Sequence, residues 1–283
     1  MRTAVAILLL ISGALPAMAD DKDDAKKLVD EAATAYQQEK YKQAAEAAEK
    51  AAKLDPTNPG AHLFAGLSRL QLRENEAAAA ALTRAIELDP KSALAYDRRG
   101  DAYLKMGKFK EAVADFDTFL QMRPKYAPDH WRRGIALYYA GRFEDGKKQF
   151  DLHRTVNPED VENSAWHYLC NARATSPKKA REELIPVSKD ARVPMKEVLE
   201  LFAGKLKPAD VIAAPEASGL KGEKLTEARF YANLYVALYY ESEGDPKKTL
   251  EHLTVAVEQY KIGHYMWDVG NAHLMMLRKA KKD

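Results

Sequence analysis

Four prolines, Pro56, Pro90, Pro124 and Pro158, recur every 34 residues. A fixed period of that length constrains the fold more than any other feature of this chain. Other registers run in phase with it. Gly66, Gly100 and Gly134 keep the interval, with Ala32 in the first slot, and Ala44, Ala78, Ala112 and Gly146 form a second small-residue series. Tyr41, Phe109 and Phe143 share an aromatic slot that only Asn75 breaks. Leu82, Phe116 and Phe150 share another, held by Ala48 in the first unit.

Each register has a physical reason if every unit is two antiparallel helices, A and B. The glycine series lies on helix A and the alanine series on helix B, so small side chains let the two backbones approach closely. Gly107 and Gly141 end helix A, where a left-handed residue costs glycine least. The aromatic two residues later opens helix B and packs back over the pair. The closing proline cannot continue helix B and suits the first turn of the next helix.

These residues resemble the tetratricopeptide-repeat (TPR) family. The third unit matches its pattern best, with Tyr96, Gly100, Tyr103, Gly107, Phe109, Ala112, Phe116 and Pro124 in place. Four units are expected at about 25–58, 59–92, 93–126 and 127–160, the first alanine-rich and degenerate as terminal repeats are. Beyond Pro158 the period fails. Val161 to Ala174 reads as a helix, Pro177, Pro186 and Pro194 break the chain into short pieces, and Lys205 to Gly222 reads as a connector. A helix pair then returns at Thr226–Glu241 and Lys247–Tyr260 across a turn at Gly244-Asp245-Pro246, with a capping helix at Tyr265–Lys279. The expected fold is therefore all-α, a TPR α-solenoid. Its parts are four repeats over 20–158, an irregular helical spacer over 159–225, and a divergent pair with its cap over 226–283.

The first nineteen residues differ in kind. Arg2 gives a short basic start, Ala4 to Leu15 is apolar, and Ala17-Met18-Ala19 places small residues where a signal peptidase reads them. Cleavage is expected before Asp20, giving an exported periplasmic or secreted protein. The alternative is an uncleaved anchor, although the apolar run is shorter than the roughly twenty residues that cross a bilayer. No later stretch approaches that length, so no membrane span is expected in the mature chain. Cys170 is the only cysteine. It reads as a buried small hydrophobe, with a bridge to a partner as the alternative.

Lysine plus arginine number 44 against 42 acidic residues, and no single-sign run is long enough to track a phosphate backbone, so nucleic acid is not an expected partner. There is no glycine-rich phosphate loop, no His-Glu-x-x-His, no Cys-x-x-Cys and no Gly-x-Ser-x-Gly elbow. The chain is read as non-enzymatic, without a cofactor or metal.

Arg133-Gly134-Ile135-Ala136-Leu137-Tyr138-Tyr139 with Gly141-Arg142, then Asn157-Pro158 and Trp166 with Tyr168-Leu169, resembles the NlpI-type periplasmic TPR lipoproteins. So does Phe230-Tyr231 followed by Tyr239-Tyr240, Gly244-Asp245 and Ala256-Val257. That resemblance implies a dimeric envelope adaptor that brings peptidoglycan hydrolases together with one another and with a tail-specific protease. The chain departs from that family in having no cysteine after its apolar run for lipid attachment. Two classes stay open: a protein-binding adaptor, and a structural subunit of an envelope secretion or polysaccharide-export assembly.

In such repeats helix A lines the concave face, and positions i, i+4 and i+7 share one stripe. The expected protein-binding groove runs through Tyr36, Leu63, Leu67, Asp97, Asp101, Lys105, Trp131, Ile135 and Tyr138. It is apolar and aromatic at its ends, with a carboxylate pair in the middle. The alternative for Trp131 and Tyr138 is cover by neighbouring helices, including the spacer. His264, Trp267 and Met275-Met276 read as core or dimer contact rather than a cofactor box.

Overall fold

The computed structural model describes residues 14–280, with side chains from Asp20 onward. Of the expected signal segment, 1–19, residues 1–13 lie outside the described residues and only the backbone of 14–19 is described. Among the described residues the chain is helical, without strands. Four helix pairs come first: α1 (Ala14–Gln37) with α2 (Tyr41–Leu54), α3 (Pro59–Gln71) with α4 (Asn75–Leu88), α5 (Ala93–Lys105) with α6 (Phe109–Met122), and α7 (Trp131–Tyr139) with α8 (Phe143–His153). The second helix of every pair opens on the expected slot, at Tyr41, Asn75, Phe109 and Phe143.

The turns between paired helices follow the same period. Gly107 and Gly141 have φ of +71° and +78°, and Glu39 and Arg73 hold the same left-handed place at +58° and +61°. The first two repeats thus adopt, with L side chains, a conformation that costs such residues roughly 1–2 kcal/mol. The closing prolines are placed differently from expectation. Pro56, Pro90 and Pro158 sit in the turns between repeats, and Pro124 opens a short 3₁₀ turn. The next helix starts on its own signal instead. At α3, Asn58 Oδ1 accepts from the Ala61 backbone N–H at 3.2 Å and Pro59 holds the first turn, a combination that satisfies one free donor and pre-sets φ.

The chain divides into two compact units, residues 1–98 and 99–283, the division falling inside α5. The first unit has an alanine-rich core, with Ala25, Ala51 and Ala61 in one cluster and Ala32, Ala48 and Ala65 in another. Larger side chains enter with Leu82 and Ile86. A Cβ on Gly66 would lie 2.5 Å from Leu82 Cγ, which is why this slot admits glycine.

The second unit buries Phe116, Phe150, Trp166, Tyr168, Phe202, Phe230 and Tyr235 in one continuous core. Gly100 faces Phe116 and Gly134 faces Phe150 as Gly66 faces Leu82, with added Cβ atoms at 2.8 and 2.6 Å. Gly146 replaces the alanine of the other repeats because Cys170 Sγ stands 2.8 Å from where its Cβ would be. Cys170 is itself buried, and burial pushes its thiol pKa well up, so it packs as a small hydrophobe.

After α8 come α9 (Val161–Ala174), α10 (Pro177–Glu182), α11 (Met195–Phe202) and α12 (Pro208–Ala217). The expected connector at 205–222 thus contains a helix. Pro208 opens it and Asp210 Oδ2 accepts from the Lys207 backbone N–H at 2.8 Å, so the proline within the expected connector acts as a helix start. Then follow α13 (Gly222–Ser242), α14 (Pro246–Thr254), which runs into a π turn at Val255–Gln259, and α15 (Tyr265–Ala280). Among the described residues no helix is long and apolar enough to cross a membrane.

Candidate functional site

The expected groove residues fall in both units. In the first, Tyr36 and Leu63 keep part of their surface. Tyr36 stands edge-on to Tyr41 and Phe64 at ring separations of 5.4 and 6.3 Å. Leu67 is buried, Leu63 packs against the Leu82–Ile86 cluster, and Asp97, also buried, lies 3.4 Å from Arg98 Nε.

In the second unit the stripe is covered by the carboxyl-terminal helices. Ile135 and Tyr138 are only 1% and 2% exposed. Tyr138 donates its hydroxyl to Glu241 Oε2 at 3.0 Å, and the Tyr139 hydroxyl meets His273 Nδ1 at 3.2 Å. Tyr265, at the start of α15, places its ring 5.0 Å from Trp131 at 84° and donates to Asp101 Oδ1 at 2.6 Å. Lys105 Nζ lies 3.3 Å from Asp101 Oδ2 and 4.9 Å from the Tyr265 ring centre, and Arg132 is 3.6 Å from the same carboxylate. The central carboxylate is therefore held internally by two cations and a phenol. Burial drives the hydroxyl pKa of Tyr138, Tyr139 and Tyr265 well up and that of His273 down against the pull of Glu241. These groups are neutral near pH 7.

Beside this covered face lies a cavity of about 250 Å³. Trp131 and Ile135 of α7 form one wall, and Phe150 and His153 of α8 another. Asp160, Glu162, Asn163 and Trp166 line it from the amino end of α9, and His264 and Met266 from the start of α15. Its shape comes from how α9 begins. Asp160 caps the helix by accepting from the Glu162 backbone N–H at 3.0 Å, and Asp190 accepts from that of Val161 at 3.2 Å. Arg192 then gathers three carboxylates, at 2.7 Å from Asp160, 2.6 Å from Glu162 and 2.6 Å from Asp190. Tyr235 of α13 donates to Glu162 Oε2 at 2.9 Å. Burial raises the Glu162 pKa to about 7, with Arg192 pulling the other way.

Two buried polar atoms on residues lining the cavity, Asn163 Oδ1 and Trp166 Nε1, have no hydrogen-bond partner. His264 lies against the Tyr231 hydroxyl at 2.8 Å and is kept neutral by burial. Trp267 is committed to structure through its N–H to the Val257 carbonyl at 3.1 Å. Among the described residues no cluster of three or more His, Cys, Asp or Glu is placed to hold a metal.

Trp131 and Ile135 are the expected groove residues that reach this cavity. Glu162, Asn163, Met266 and Arg192 were not singled out in sequence, because they arrive from segments outside the strict period. The available signal was the Asp160-x-Glu162-Asn163 cluster three residues ahead of Trp166, which puts acidic, amide and aromatic groups on one helical face.

Residues 29–93 and 93–126 match two tetratricopeptide-repeat families. No curated protein matches the chain. Among solved structures, a tetratricopeptide repeat protein from Parabacteroides merdae is similar over 90% of this chain and 99% of its own, at 16% identity and a TM-score of 0.57. The MamA RS-1 ArsTM double mutant is similar over 56% of this chain and 90% of its own, at 19% identity and a TM-score of 0.50. At these identities the likeness is one of fold. Residues 29–126 are therefore tetratricopeptide repeats, carried in an all-helical chain of antiparallel helix pairs.

Proposed function

We propose that this chain is an exported, non-enzymatic protein-binding adaptor of the bacterial cell envelope. It organises peptidoglycan hydrolases and a tail-specific protease, as its resemblance to the NlpI-type proteins implies. TPR domains generally mediate protein–protein interaction. The observation that supports this reading here is the hold of the second unit's helix-A face on α15, a helix of the chain itself. Aromatic rings and buried hydrogen bonds anchor that helix at Asp101, Trp131 and Tyr139. Rigid aromatics of this kind are the usual anchors of protein interfaces. On this reading the working surface comprises the helix-A positions of the first unit that keep exposed area, Tyr36 and Leu63.

Affinity capture from native envelope extract, followed by mass spectrometry, tests the proposal. Peptidoglycan hydrolases and a tail-specific protease should co-purify. A stoichiometric membrane assembly in their place would overturn the adaptor role and make the chain a structural subunit of a secretion or export complex.

A further inference from the structure

We infer that the cavity at the amino end of α9 binds a primary alkylammonium group, of the kind a lysine side chain of a partner presents. The inference deepens the protein-binding reading and rests on it only for the source of the cation.

The lining carries the chemistry. Trp131, Phe150 and Trp166 supply aromatic rings, and Asp160 and Glu162 supply carboxylates. Among the described residues no lysine or arginine lines the cavity. Aromatic faces attract a cation through their quadrupole, most strongly where water is excluded. Arg192 contacts both carboxylates but shares its single charge with Asp190 as well, so the ionised cluster keeps a negative excess. Asn163 Oδ1 is a buried acceptor with no donor, on a residue 4% exposed. A buried polar atom without a partner is costly, and an ammonium brings three N–H donors. The volume, about 250 Å³, falls below the roughly 300–1,000 Å³ of sites for drug-sized molecules, which suits a single side chain. A neutral apolar ligand would leave Asn163 unsatisfied, and an anion would meet the carboxylates.

The test is a calorimetric titration of the full chain at 0.15 M salt with three probes: n-butylammonium chloride, n-butanol and Nα-acetyl-lysine amide. Butylammonium should bind at least tenfold more tightly than butanol. Glu162→Gln should weaken butylammonium at least tenfold while leaving butanol unchanged, with circular dichroism confirming the fold. Should Glu162→Gln fail to fold, Trp131→Leu, at a half-buried position that keeps both carboxylates, should weaken butylammonium by at least threefold. Tighter binding of the lysine amide than of butylammonium identifies a protein lysine as the ligand, and the reverse order identifies a free amine. Equal affinity for butylammonium and butanol, or an unchanged affinity in the folded variants, would overturn the inference. None of these titrations needs an envelope partner, so failed partner capture removes the adaptor role without touching the cavity's preference for a cation.

Discussion

Tyr265 donates its hydroxyl to Asp101 Oδ1 at 2.6 Å, joining positions 164 residues apart. The bond ties the first turn of α15 to the helix-A face of the third repeat, on a carboxylate that Lys105 and Arg132 also approach. Hydrogen bonds to charged groups are worth about 1.5–3 kcal/mol. Tyr265→Phe keeps the ring against Trp131 and removes only the donor. Its urea midpoint should fall by an amount equivalent to that range, at unchanged slope. A midpoint equal to the wild type would show that Asp101 does not hold α15.

Gly100 tests the repeat register. A Cβ there would lie 2.8 Å from Phe116, inside the pair's closest approach. Gly100→Leu should cost about 1–3 kcal/mol or more through overpacking. Lys110→Leu, on the exposed side of the same pair, should change stability by less than about 0.5 kcal/mol. Thermal melts of the two variants make the comparison, and equal melting temperatures would refute the register.

Glu162 should make stability depend on pH in a defined window. Its pKa is raised from 4.5 to about 7 in the folded chain. Between those values the native state therefore holds a proton that the unfolded state has released. Stability attributable to this group is full below pH 4.5 and falls as pH rises through 7. Gln at this position cannot titrate. The stability of the wild type relative to Glu162→Gln should drop across the window by up to about 3 kcal/mol and be flat outside it. Paired denaturant titrations at pH 4, 5.5, 7 and 8.5 measure the difference. They also cancel the opposing trend of the buried histidines His264 and His273, whose lowered pKa values make acid destabilising.

The repeats were legible in sequence because each depends on contacts within one 34-residue period. Gly100 meets Phe116 and Gly134 meets Phe150 at the same short separation, so one rule written four times becomes visible. The four positive-φ turns obey the same rule, but Glu39 and Arg73 hid two of them behind side chains that rarely adopt that conformation. The cover over Tyr138 and Asp101 was not legible. It depends on Glu241 and Tyr265, 103 and 164 positions away, and a helical stripe looks the same whether solvent or another helix meets it. The helix at Pro208–Ala217 was missed for a local reason. Proline in a first turn and proline as a terminator give the same letter, and the Asp210 cap decides between them.

Affinity of the Tyr36→Ala/Leu63→Ala chain for the protein most enriched from native envelope extract tests most directly whether the helix-A face captures partners. Both side chains are half-buried, so circular dichroism should be unchanged while binding is measured. The predicted result is at least a tenfold rise in Kd, corresponding to about 1.4 kcal/mol. A folded double variant that binds its partner with wild-type affinity would contradict the account.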